Sequence, residues 1–398
     1  MRRCLLLAMS LMLLFTAAAA EEITLYTVSS FAGADASAAA YVELLKAFEE
    51  KTGYVINDSS ASSDETWKTS ILYDFAAGNE PDVLFFFAAN ADSAPILSRV
   101  VPISEINAAY PELHLPENPT LTEADGQVYA IPVRPFWEGL FINTDLFERY
   151  GVELPTNWEK LEAAIDRFNQ VGIVPISVSL SDIPHYLTEM CLLVSSSPED
   201  YAVRPGTLEE VPDSWMKGMA LIRHLYEMGA FAPNANATTE EMSSQLFRNK
   251  EAAMQIDGSW FANSLPQANM DTTIVMPMPT FSPHADPKAY IGGTSMGFYL
   301  TRKAWEDPQR REAAVQLLAW LTNKDSMRVL GGMELQGALL ESSLAMLENS
   351  GSMNRPLQDD MNREAREMWL LNCVPAVAEG TMTPEECWAT VMALNAFE

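Results

Sequence analysis

A chain of 398 residues, 48% hydrophobic and 20% charged, is globular in composition and too long for a single hydrophobic core, so two lobes are expected. Its formal net charge of −29 repels phosphate backbones and anionic lipid, which argues against nucleic acid and membrane surfaces as partners. Four cysteines are too few for a disulfide framework, and their spacing leaves open whether Cys373 and Cys387 bridge.

Residues 1–20 read as a secretory signal peptide. Arg2 and Arg3 precede the apolar run CLLLAMSLMLLF, which ends in a run of alanines, Ala17 to Ala20. The run is shorter than a membrane-spanning helix requires. Cys4 stands at its start and not at the cleavage site, so direct lipid attachment is not expected. The mature protein is therefore expected to be exported and soluble: periplasmic, or extracellular in a cell that lacks an outer membrane.

From residue 23 short apolar runs alternate with amphipathic ones. ITLYTV reads as a strand, residues 38–52 as a helix stopped by Gly53, YVIN as a strand, and residues 65–77 as a helix stopped by Gly78. PDVLFFF reads as a strand buried on both faces. This alternation predicts right-handed crossovers and a mostly parallel α/β sheet, with ligands beyond the carboxyl ends of the strands. The loops after the first and third strands, residues 29–31 and 88–92, are placed there. Further on come two apolar runs, VYAIPV and GLFIN, separated by Arg134-Pro135-Phe136-Trp137-Glu138. A helix over 158–171, the strand IVPISVSL and helices near 186–194, 212–228 and 240–247 follow. AAMQIDGSW reads as a strand ending on Trp260, TTIVMPMP as another, and AYIGGTSMGFYL as a glycine-broken pair. Residues 308–323 and most of 359–397 are helical in pattern.

Catalytic motifs are scarce. GTSMG at 293–297 satisfies G-x-S-x-G, but it continues into a strand where a nucleophile elbow needs a helix, and no histidine follows it. His114, His185, His224 and His284 are scattered without metal-ligand spacing, and no phosphate-binding loop is present, so neither metal nor cofactor is expected. Paired carboxylates acting on a glycoside remain open, since their separation decides the matter. Aromatic residues carry more: Phe31, Trp137, Tyr186, Trp260 and Trp369 fall at strand ends or in loops beside small or polar residues, where a ligand cleft would use them.

DGQVYAIP followed by GLFINTDLFERYGVELPTNWEKL resembles a segment of the sugar-type extracellular solute-binding proteins (family 1, maltodextrin-binding-protein-like) that serve ABC importers. GNEPDVLFF, LFRNKEAAMQIDGSW, IGGTSMGFYL with EAAVQLLAWLTN, and EGTMTPEEC agree in order, so the resemblance spans nearly the whole mature chain. It implies a two-lobed periplasmic-binding-protein fold of type II, with lobes at 21–133 plus 297–339 and at 134–296 plus 340–398. Hinge crossings are implied at 134–138, 292–297 and 337–342. It further implies a monomeric, non-enzymatic receptor that closes on a solute, most simply a sugar or oligosaccharide, and delivers it to a membrane permease. Solute contacts implied by position are Ser30, Phe31, Asp64 or Glu65, Asn90, Asp92, Phe136, Trp137, Glu138, Trp260, Gly293 and Thr294, to which the aromatic reading adds Tyr186 and Trp369. A polyamine receptor on the same fold and a secreted glycoside hydrolase stay open as alternatives.

The signal reading predicts cleavage between Ala20 and Glu21. Intact mass of the exported protein is expected to begin at Glu21; a product that retains Cys4 or carries lipid contradicts it.

Overall fold

Strands with apolar residues on both faces build two sheets. The computed structural model describes residues 23–33, 35–133, 135–331 and 335–397; the expected signal peptide lies outside them. The first sheet has the order β2-β1-β3-β10-β4, from β1 (Thr24–Val28), β2 (Val55–Asp58), β3 (Val83–Phe87), β4 (Ile131–Pro132) and β10 (Met296–Leu300). The second has the order β11-β9-β5-β7-β6, from β5 (Phe136–Asn143), β6 (Val174–Ser177), β7 (Ala252–Gly258), β9 (Tyr290–Gly293) and β11 (Met353–Asn354). β8 (Thr273–Met276) adds to the far end of β5. Helices cover both sheets in the layered arrangement expected of α/β chains.

Parallel pairing holds only in part. β1, β2 and β3 run parallel, but β10 is antiparallel to β3 and β4, and β5 is antiparallel to β7, β8 and β9. The reason is connectivity. β3 and β4 end at the junction of the lobes; β10 and β5 arrive there from the opposite lobe and start where their neighbours stop. Phe136 to Glu138, expected as a hinge loop, are consequently the first three residues of β5.

Strand alternation then sorts the side chains. On β3, Val83 and Phe85 enter one core and Leu84 and Phe86 another. On β5, Leu140 and Ile142 share a face with Phe136 and Glu138, while Trp137 and Phe141 lie on the other. Trp137 is therefore a core residue, 2% exposed and stacked on Phe141 at 5.8 Å, and not a cleft residue as expected. Phe31 is likewise core: it turns inward to stack on Phe85 at 4.6 Å.

Two sequence boundaries move. The strand expected to end on Trp260 stops at Gly258, and Ser259–Ser264 is a short helix. Gly337–Glu348, whose first residues were expected as a crossing, is a helix packed on β8. The C-terminal tail is helical as expected, with a π-helical turn at Met368–Cys373. Trp369 on that turn is fully buried, with Trp388 at 5.3 Å and Trp215 beyond it. It belongs to the second lobe's core, which overturns its placement in the cleft. The turn brings Cys373 beside Cys387, both free thiols.

Trp369→Ala is expected to cost about 3 to 5 kcal/mol of stability, the usual range for a packed tryptophan. Urea unfolding measures it; a midpoint unchanged from the parent contradicts the core assignment.

Candidate functional site

The two sheets present their strand ends to a common cleft of about 1310 Å³, mouth included, whose walls come from both lobes. In register, β5 starts opposite the ends of β7 and β9: Glu138 pairs with Gly258, and Phe136 with Gly293. Phe136 and Glu138, on the same face of β5, reach the cleft together. The extended backbone at Gly258 lies under the indole of Trp260, whose ring atoms stand 2.4 Å from where a Cβ would be, so only glycine admits this ring position.

Trp260 is the middle of an aromatic row. Phe136 stands 5.9 Å from it and Tyr186 5.4 Å, and His185 continues the row 4.2 Å beyond Tyr186. All four line the cleft, and all are partly exposed. His185 and Tyr186 open the helix His185–Ser195, which their own burying neighbours, Leu187 to Ser195, anchor in the core.

The facing wall belongs to the first lobe. Asp64 caps the helix Glu65–Ala77, accepting from the Trp67 N–H at 2.7 Å. Glu65 and Lys68 on its first turn pair at 2.8 Å, with the ammonium also over the Phe87 ring at 4.4 Å. Arg366 of the second lobe closes this group. It donates to both oxygens of Asp92, at 2.9 and 2.7 Å, and to Glu65 at 3.0 Å. Arg366 and Asp92 are each 1% exposed, a buried bidentate pair that ties lobe to lobe. Burial works to raise the Glu65 pKa, but Lys68 and Arg366 outweigh it and hold the carboxyl below its ordinary value. Asp92 is thus consumed by Arg366, and it does not face the cleft as expected.

The floor is acidic. Glu138 is 3% exposed; burial, and then Glu189, Asp257 and Asp359, push its pKa well above the ordinary carboxyl range. Burial also raises Asp359, to about 6. Asp257 and Glu240 titrate as a raised pair, driven by burial. Oε2 of Glu138 and Oδ2 of Asp359 are buried without a hydrogen-bond partner. On the imidazole of His185, burial with Lys68 and Arg366 nearby acts the other way and keeps it neutral.

Of the residues singled out from sequence, Ser30, Asp64, Glu65, Phe136, Glu138, Tyr186 and Trp260 meet in the cleft. Asn90 does not: its side chain folds onto its own turn, accepting from the N–H groups of Asp92 and Ser93. Gly293 and Thr294 carry the crossing, while the next residues, Ser295 and Met296, line the cleft. Sequence reasoning missed Lys68, Asp182, His185, Glu240 and Asp359. Lys68 had a local signal, three residues after Glu65 on a helix. The others reach the cleft from segments far apart in the chain.

The model of the family described as bacterial extracellular solute-binding protein matches residues 33–328. The chain belongs to that family. Among relatives of this solute-binding protein, the melibiose/raffinose/stachyose-binding protein MelE of Bacillus subtilis (strain 168) is 26% identical over 211 residues, 49% of this chain and 47% of that one. The chain thus spans about half the length of the curated relative it matches. Solved structures share the two-lobed type II fold. A chitin oligosaccharide binding protein superposes with TM-score 0.80 at 18% identity, over 94% of this chain and 98% of that one. The maltose/maltodextrin-binding domain MalE from Bdellovibrio bacteriovorus, bound to maltotriose, does so with TM-score 0.73 at 16% identity, over 94% and 98%.

The raised carboxyls make stability pH-dependent. Asp359 at about 6, with Asp257 at about 7 and Glu240 at about 8 as a pair, keep protons in the folded state that an unfolded chain loses near pH 4. Folded protein binds more protons at these three groups across that window, so their contribution to stability is fully present below about pH 4 and is lost as pH rises to about 8. The ligand-free melting temperature is expected to drop over this range, and Asp257→Asn with Glu240→Gln to flatten the drop. An equally steep curve in the double variant contradicts the assignment.

Proposed function

We propose that this solute-binding protein is the exported, monomeric receptor of an ABC importer. It binds a sugar or oligosaccharide between its lobes and delivers it to the membrane permease without chemical change. The observation that carries this reading is the aromatic row Phe136, Trp260 and Tyr186 standing in an interlobe cleft opposite carboxylates and serines. Aromatic faces cover the apolar side of a pyranose, and carboxylates with hydroxyls take its hydroxyl groups. The sugar ligands named for MelE and for the structural neighbours agree with it. Export through a cleaved leader supplies the location such a receptor needs.

A thermal-shift panel of sugars, polyamines and amino acids tests the reading. A true ligand adds RT ln(1 + [L]/Kd), about 2.7 kcal/mol at a hundredfold excess over Kd, and returns unmodified after long incubation. Trp260→Ala is expected to weaken sugar binding by at least about 2 kcal/mol, roughly thirtyfold in Kd, with folding largely retained. A panel in which no sugar stabilises the protein removes the reading.

A further inference from the structure

The charge balance of the cleft is more specific than sugar binding requires. Among the described residues lining it, carboxyls come from Asp35, Asp64 and Glu65 on the first lobe, Asp182 and Glu240 on the second, and Glu138 and Asp359 on the floor. Lys68 is the one lining cation among those residues, and it is committed to Glu65 at 2.8 Å and Asp92 at 3.7 Å. Several of the acids already have partners: Asp64 caps its helix, Glu65 is held by Lys68 and Arg366, and Asp182 accepts from the Glu240 N–H at 3.1 Å. Glu138 and Asp359 are different. Each is 3% exposed, each lines the cleft, and each keeps one carboxyl oxygen with no donor.

We infer that the natural solute is a cationic sugar, a glycoside bearing a protonated amine, whose ammonium is held between the carboxyls of Glu138 and Asp359 while its ring lies against Trp260. The inference rests on the sugar reading above and narrows it. A neutral ring gives these carboxyls hydroxyl donors but no positive charge, so they stay protonated and hold it through neutral hydrogen bonds, which are weaker than charge-assisted ones. An ammonium brings three donors and the missing charge. The indole beside it adds a cation–π contribution, tryptophan being the strongest partner for one. The serine hydroxyls of the wall, Ser62 and Ser244 among them, and Gln358 suit a ring that offers both donors and acceptors. A linear polyamine offers donors alone.

The arrangement carries a proton signature. Glu138 is faced by Asp257 from β7, Glu189 from the helix His185–Ser195 and Asp359 from the turn Leu357–Asp360; beyond burial, Lys68 and Arg355 act on Asp359 against Asp92 and Asp360. Seating an ammonium among these carboxyls ionises groups that hold protons in the empty cleft, so binding releases protons.

Titration calorimetry with glucosamine disaccharide and trisaccharide, their N-acetylated counterparts and spermidine, each in two buffers of different ionisation enthalpy, tests this. The amine sugars are expected to bind at least about tenfold more tightly than the acetylated ones, with proton release seen for the amine sugars alone. Glu138→Gln is expected to remove that preference, and Asp359→Asn provides a second reading if the first variant unfolds. Equal or tighter binding of the acetylated sugars overturns the cation inference and leaves the sugar reading standing. Binding of spermidine alone overturns both, and the absence of binding by the amine sugars overturns the cation inference.

Discussion

A strand that leaves one sheet at the seam between lobes must begin the other sheet at that same seam, and this constraint governs the molecule. β4 hands over to β5 and β9 to β10, so both crossing strands start at the junction and run away from it, antiparallel to neighbours that end there. Strand ends, with their side chains no longer covered by the next residue of the ladder, are thereby gathered on one line. Phe136, Glu138, Gly258, Gly293 and Met296 all stand on it. The cleft is thus a consequence of connectivity, and loops with the short helix Ser259–Ser264 furnish its remaining walls.

Electrostatics divides the work along that seam. Where cation and anion meet out of water, as Arg366 does with Asp92 and Glu65, the charges are paired and serve to tie the lobes. Where carboxyls meet one another, as at Glu138, Glu189, Asp257 and Asp359, burial and repulsion favour the protonated forms, and one oxygen each of Glu138 and Asp359 is left without a donor. The first arrangement is structural, with its charges balanced within the protein. The second is incomplete until something enters, which is why the floor and not the latch reads as the binding element.

The aromatic row depends on a similar division between backbone and side chain. Trp260 can lie flat over the end of β7 because Gly258 has no side chain beneath it, and Phe136 and Tyr186 then meet the indole from β5 and from the helix His185–Ser195. Three segments separated by long stretches of chain meet on one wall.

The sequence by itself determined what local patterns encode. Gly53 and Gly78 stop the first two helices in the left-handed conformation, the apolar runs of β3 and β5 become strands buried on both faces, and the order of motifs marks the family. It also singled out Glu138 and Trp260, since each sits at a break between regular elements. Only the tertiary structure decided which neighbouring aromatic faces the cleft. Phe136 and Trp137 are adjacent, yet strand alternation sends one into the site and the other into the core, and the starting phase of β5 depends on its register with β7 and β9. Trp369 and Asp92 were misplaced for a related reason: their surroundings, Trp388 for the one and Arg366 for the other, are contributed by residues distant in sequence. Local periodicity specifies an element and its apolar face, but the partner that covers that face, and any polar group left uncovered, is set by packing between segments that the linear order does not bring together.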